Sequence, residues 1–204
     1  YAPDRESTQR IELSSISKRK PWILSATHAK TFLIAFVDGI QSIDIVEVDL
    51  NGIELWRFSG PERVVGIPAS LQLMSNNSIL VADEFHHIVS ELHRDGTSEI
   101  RWGKFHHPSS EPECLYNPQS AVEISDTELL IADTHNHRLL SISDTGYSEI
   151  NSVAGQSFLS PTAAMRLPDG GLLLCDAGHR WVAAFDNRGC PVAEIGKPAL
   201  REHE

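Results

Sequence analysis

Long apolar runs are missing from this chain of 204 residues. The longest purely apolar stretch near its start, Phe32 to Val37, has six residues, against the ~20 that a membrane-spanning helix requires. No membrane span is expected. Positive charge is scarce: 17 basic residues stand against 28 acidic ones, a net charge of -11. Such a surface repels a phosphate backbone unless a basic face compensates, and the only basic run, Lys18-Arg19-Lys20, reads as a solvated linker. Nucleic acid is disfavoured as a partner. Cysteine is limited to Cys114, Cys175 and Cys190, which cannot all pair within the chain and form no C-x-x-C. That leans toward a reducing, cytoplasmic compartment without fixing localisation. Also absent are G-x-S-x-G, a phosphate loop, G-x-G-x-x-G, and any cysteine with a sequence-marked base. No segment of ten or more residues carries a 3.6-residue apolar period, so helices are not expected.

What is present is an ordinary globular composition, 41% hydrophobic and 22% charged, enough for one domain with a sizeable core. The chain opens on Tyr1 without methionine or a charged-then-apolar leader, and reads as processed or as a piece of something longer. Ten histidines are unusual in their effect. Their full protonation below the usual pKa of ~6.5 moves the formal charge from -11 to about -1.

The strongest signal is an internal repeat. Pro68, Pro118 and Pro161 each precede an aspartate, Asp83, Asp133 and Asp176, by 15 residues, and each aspartate precedes a glycine, Gly96, Gly146 and Gly189, by 13. A looser copy lies upstream in Pro21, Asp38 and Gly52, with spacings of 17 and 14. Each copy holds short apolar runs such as Ser78 to Ala82 and Gly171 to Cys175, suited to strands buried on both faces. Alternating segments follow and close at Asn51-Gly52 and Asp95-Gly96, which are hairpin turns. A last segment, such as Glu99-Ile100-Arg101-Trp102, completes four strands. Four antiparallel strands per ~45 residues, repeated, is the plan of an all-β propeller of four-stranded blades.

The stretch from Asn117-Pro118 through Leu130-Ile131-Ala132-Asp133-Thr134 to Asn136-His137-Arg138 resembles an NHL repeat. Partial likenesses occur at Val81-Ala82-Asp83 with His86-His87 and at Leu174-Cys175-Asp176 with His179-Arg180, and a faint one around Asp38. The resemblance covers about residues 21–196 and implies that the strand after each proline lies nearest the propeller axis. One domain over 1–204 is expected, with an N-terminal strand or linker at 1–20, repeats at about 21–60, 61–104, 105–155 and 156–196, and a tail at 197–204. Six such blades need about 270 residues, so the chain reads as an arc of a longer, six-bladed type of ring, with a four-bladed ring or an arc completed by another subunit as alternatives. Residues 10–17 resemble a last strand without its blade.

Repetition marks Asp83, Asp133, Asp176, His137 and Arg138 as architecture, since a group needed once for chemistry would not recur in every blade. A carboxylate closing a buried strand can accept N–H groups of the following turn. Trp56 and Trp102 read as packing. What breaks the repeat is an insertion: glycine to next proline is 16 residues from Gly52 and 15 from Gly146, but 22 from Gly96 to Pro118. Blade connectors and the loops between second and third strands share one face of a propeller. The insertion therefore brings His106, His107, Glu111, Glu113 and Cys114 near His86, His87, His135, His137 and His179.

These residue types suit zinc or another transition metal, with His106, His107 and Cys114 as candidate ligands, although no diagnostic spacing such as H-E-x-x-H is present. No cofactor is required by the sequence; zinc or calcium would be compatible. The favoured function is a non-catalytic scaffold that binds a protein, a peptide or a larger assembly through this loop face. The alternative is a metal-assisted hydrolase or lyase acting on the axis, where Gln72, Glu123 and Arg166 on the inner strands are the polar candidates. Fold type alone does not transfer such an activity.

Overall fold

The computed structural model describes residues 11–38, 42–61, 65–153 and 155–196. Four sheets of four antiparallel strands follow one another along the chain. The first blade comprises β1 (Lys20–Ala26), β2 (Phe32–Val37), β3 (Ser42–Val48) and β4 (Glu54–Pro61). The second comprises β5 (Pro68–Leu73), β6 (Ile79–Asp83), β7 (Ile88–Leu92) and β8 (Ser98–Gly103). The third is built from β9 (Pro118–Ser125), β10 (Glu128–Asp133), β11 (Arg138–Ser143) and β12 (Gly146–Ile150). A small hairpin, β13 (Ser152–Val153) with β14 (Gln156–Ser157), leads to the fourth: β15 (Pro161–Arg166), β16 (Leu172–Asp176), β17 (Trp181–Phe185) and β18 (Pro191–Ile195).

Each blade is a simple meander, so every strand pairs with its sequence neighbour. The middle strands are the most apolar because blades cover both of their faces. All five residues of β6 and all five of β7 are buried. The first strands pack in succession, β1 on β5, β5 on β9 and β9 on β15, which makes them the inner edge of an arc. Three inter-blade cores result. Leu33, Ile45, Leu71 and Val81 fill the first; Leu80, Val89, Leu115 and Ile131 the second; Leu130, Leu139, Leu174 and Trp181 the third.

Polar ties cross the same seams. Trp22 Nε1 donates to the Pro68 carbonyl at 3.1 Å, Ser70 Oγ and Gln72 Oε1 accept from the backbone N–H of Ala121 and Glu123, and Thr134 Oγ1 donates to the Pro161 carbonyl at 2.7 Å. The outer tryptophans pack, as their positions suggested. Trp56 donates to the Arg94 carbonyl and lies under the Arg94 guanidinium at 4.9 Å, while Trp102 packs on the second core.

The two ends of the arc differ. The outward face of the first blade is covered by Leu13 and Ile16, which pack on Ile34, Phe36, Val46 and Val48. The strand expected over residues 10–17 is not formed: Leu13–Ser15 is a 3-10 turn, and Arg10 lies outside the described residues. This segment caps the blade through side chains, and Arg57 on β4 donates to the Ile16 carbonyl at 2.7 Å. Among the described residues nothing comparable covers the outward face of the fourth blade. Met165, Val182 and Ile195 are 48%, 37% and 74% exposed there.

Candidate functional site

One rim of the arc is set by the three repeated aspartates, and their role is wider than capping the following turn. Asp83 is fully buried and accepts the N–H groups of Phe85 and His86 (3.0 Å each) beyond its strand, but also those of Gly66 (2.6 Å) and Ile67 (3.3 Å) in the connector before the inner strand. Asp133 accepts Tyr116 N–H at 2.7 Å, and Asp176 accepts Leu159 and Ser160 at 2.9 and 2.8 Å. In every case one hooked N–H lies two residues before the repeat's proline, and in the second and fourth blades the next residue's N–H is held as well. The carboxylate thus staples the blade connector to the turn between second and third strands. Asp38 of the loosest repeat is exposed and forms no such staple among the described residues.

The residue three after each aspartate completes the staple. His86 and His179 present Nδ1 to their aspartates at 2.8 and 3.0 Å, and Asn136 donates Nδ2 to Asp133 at 2.8 Å. The residue four after it, His87, His137 or Arg180, has φ of 57° to 60°. That left-handed position is costly for a side chain with a Cβ and recurs because the tight turn demands it. Burial alone would raise the Asp176 carboxyl, but the N–H groups of Leu159 and Ser160 together with His179 hold it below the usual carboxylate range. At Asp133 burial prevails and raises the carboxyl, against hydrogen bonds from Tyr116, Asn136 and Arg138.

The insertion folds down onto this rim. His106 N–H donates to the His86 carbonyl at 3.0 Å, Asn136 Nδ2 to the Ser109 carbonyl at 2.8 Å, and Arg138 to the carbonyls of Ser110 and Cys114 at 3.2 and 3.1 Å. Arg138 also pairs with Asp133 at 2.8 Å and Glu149 at 2.6 Å. It is therefore the post that holds the insertion to the third blade, a role beyond the repeat architecture its motif suggested.

The candidate residues are thereby sorted. His86 lies fully buried beneath Phe105, with ring centroids 4.3 Å apart, and its Nε2 has no hydrogen-bond partner among the described residues. It is not available to a ligand on the loop face. His179 is tied to Asp176 in the fourth blade, and among the described residues no hydrogen bond or ring contact joins it to the insertion. His106 packs edge-on against Phe85 and His86 at 5.5 and 4.6 Å. His87, Tyr116 and His135 form a row of edge-to-face rings at 5.6 and 4.9 Å, with Tyr116 42% exposed and His135 exposed. Burial lowers the His87 pKa, and His106, His135 and His86 add to this when charged while Asp83 opposes it.

His107, Glu111 and Cys114 come together, with their ligand atoms within 4.8 Å of one another; Cys114 is buried and the other two are exposed. Glu113 beside them is exposed with φ 62°. Tyr116 and Phe105 are members of this face that the residue pattern did not single out. Their signal was position alone, since both flank the insertion.

The inner-strand candidates do not assemble. Glu123 is engaged by Ser75 N–H and Oγ at 2.7 and 2.8 Å, and Gln72 Oε1 accepts Glu123 N–H at 2.6 Å. Arg166 lines, with Ile124 and Glu128, a cleft of about 650 Å³ between the third and fourth blades.

Solved structures share this fold. The chain aligns with a protein of unknown function from Bacteroides caccae at TM-score 0.65 and 15% identity, over 86% of this chain and 66% of that one. The fold is a β-propeller. It aligns also with a virginiamycin B lyase from Staphylococcus aureus in a structure with quinupristin (TM-score 0.60, 14% identity, 90% and 58% of the two chains). A third match is a gluconolactonase from Xanthomonas campestris (TM-score 0.58, 15% identity, 87% and 62%). The chain spans less than two thirds of the length of each of these propellers. No protein-family model matches the chain, and the search of curated proteins gives no match. Among the described residues no helix is long and apolar enough to cross a membrane.

Proposed function

We propose that this propeller is a non-catalytic, NHL-like module that binds a protein or peptide through the loop face formed by the 104–117 segment and the turns of the second and third blades. The observation that supports it most is the row of His87, Tyr116 and His135, an aromatic surface held by backbone staples on one side of a rigid arc. Exposed aromatic and histidine rings on preorganised loops are the chemistry of recognition surfaces, because they give large contact area for little ordering cost. Phe105, 38% exposed, and the carboxylates of Glu111 and Glu113 extend the face with apolar and acidic neighbours. A peptide that combines an apolar anchor with basic residues fits that pattern.

The lyase and lactonase names belong to neighbours whose likeness at 14–15% identity is one of fold. Glu123 and Gln72 serve inter-blade hydrogen bonds, which weighs against an axial site built from them. Selection of peptides from a displayed random library against the whole chain tests the reading. Tyr116→Ala and His135→Ala leave the backbone staple in place and should each weaken the selected peptides about tenfold or more. Peptides that bind both variants as well as wild type, or no enrichment at all, would refute it.

A further inference from the structure

We propose that His107, Glu111 and Cys114 form a binding site for a divalent transition-metal ion of the zinc class, with three protein ligands and one position open to solvent. The claim is independent of the peptide-binding reading. It rests on ligand chemistry and on preorganisation. A thiolate, an imidazole and a carboxylate are borderline-to-soft donors that select zinc-like ions over calcium or magnesium. Ligand atoms around a tetrahedral zinc stand roughly 3.3–3.8 Å apart, from bond lengths of about 2.0–2.3 Å. The three atoms here already lie within 4.8 Å of one another, so side-chain rotation alone can close the site.

The backbone beneath is fixed. His107 N–H donates to the Lys104 carbonyl at 2.9 Å, Glu111 N–H to Ser109 Oγ at 3.0 Å, and Cys114 N–H to the Glu111 carbonyl at 3.1 Å. Asn136 and Arg138 hold the carbonyls of Ser109, Ser110 and Cys114 from below. The ligands therefore stand on successive tight turns stapled to the third blade. The buried thiol forms the floor, and the exposed imidazole and carboxylate form the mouth. A second group of similar donors, Glu91, His93 and Glu99, lacks this freedom, because Glu91 is already bonded to Ser78, Asn76 and Arg101.

Binding replaces the Cys114 S–H bond with a sulfur–metal bond, and the proton leaves to solvent, so affinity should rise with pH. The bound ion would join residues 107 and 114 and close the insertion into a ring. The probe is cobalt(II), followed by zinc(II), titrated into the full chain stripped with a chelator. A Cys190→Ser background removes the exposed thiol. One equivalent should bind with a thiolate-to-cobalt charge-transfer band, and zinc should displace it while excess calcium does not. His107→Ala and Glu111→Gln, both at exposed positions, should each weaken binding more than about a hundredfold, beyond the loss of an outer-shell partner. Cys114→Ser should abolish the band, and His106→Ala should leave it intact. Absence of stoichiometric binding, a band that survives Cys114→Ser, or affinity unmoved by both His107→Ala and Glu111→Gln would overturn the assignment.

Discussion

Asp83 and Asp38 occupy equivalent places in the sequence and opposite places in the energetics. Asp83→Ala would leave four backbone N–H groups and the His86 ring without their buried acceptor. At roughly 1–3 kcal/mol for a buried group so deprived, the loss should reach about 3 kcal/mol or more in denaturant unfolding. Asp38→Ala, at an exposed site, should stay within about 0.5 kcal/mol. The carboxylates were legible from spacing because their identity recurs. Their partners were not, since Gly66, Tyr116 and Leu159 contribute only a backbone N–H, which any residue but proline supplies. For the same reason His86 and His179 read as surface ligands until their aspartates were seen to hold them. His87 gives a pH signature. Its pKa is lowered in the folded chain, first by burial, so the unfolded chain binds that proton more tightly. The stability it confers is complete above the unfolded value of ~6.5 and is lost as pH falls through the lower folded value. His87→Asn keeps a side chain tolerant of the left-handed turn, and its unfolding free energy should fall less than that of wild type between about pH 7 and 5.

At the scale of elements, turns rather than strands separate essential from replaceable positions. A Cβ at Gly103, where φ is +92°, would stand 2.5 Å from the His87 carbonyl oxygen, and one at Gly96, where φ is +86°, would meet nothing within 4 Å. Gly103→Ala should therefore cost well above the ~1 kcal/mol of backbone strain expected for Gly96→Ala, as read from urea midpoints. The insertion behaves as a separate element. Asn136→Ala removes its bond to the Ser109 carbonyl and one bond to Asp133. Amide exchange over 109–115 should then quicken about tenfold or more, the equivalent of ~1.4 kcal/mol of local stability, with a smaller effect on the inner strands. Four strands per repeat were legible from alternation and hairpin dipeptides. The capping turn at Leu13–Ser15 was not, because a short apolar segment carries no period that distinguishes a strand from a single turn packed on a blade.

For the arc formed by the described residues, one end is covered and the other is open. Met165→Asp combined with Val182→Asp, on the open outward face, should reduce binding of a hydrophobic dye to the chain while leaving its unfolding midpoint nearly unchanged; undiminished dye fluorescence would mean that this face is covered in solution. Arc and ring could not be told apart from repeats alone, since every internal blade reads the same and only the terminal faces differ. The staple two residues before each proline has a further meaning for how such a chain can change. It closes the second, third and fourth blades locally, so whatever chain lies upstream of Gly66, Tyr116 or Leu159 enters and leaves between fixed points. Lengthening a closed loop is cheap, about 0.6 kcal/mol per doubling. The connector between the second and third blades thus behaves as a cassette: foreign sequence can be grafted there, and new specificities tried, while the blades on either side keep their register.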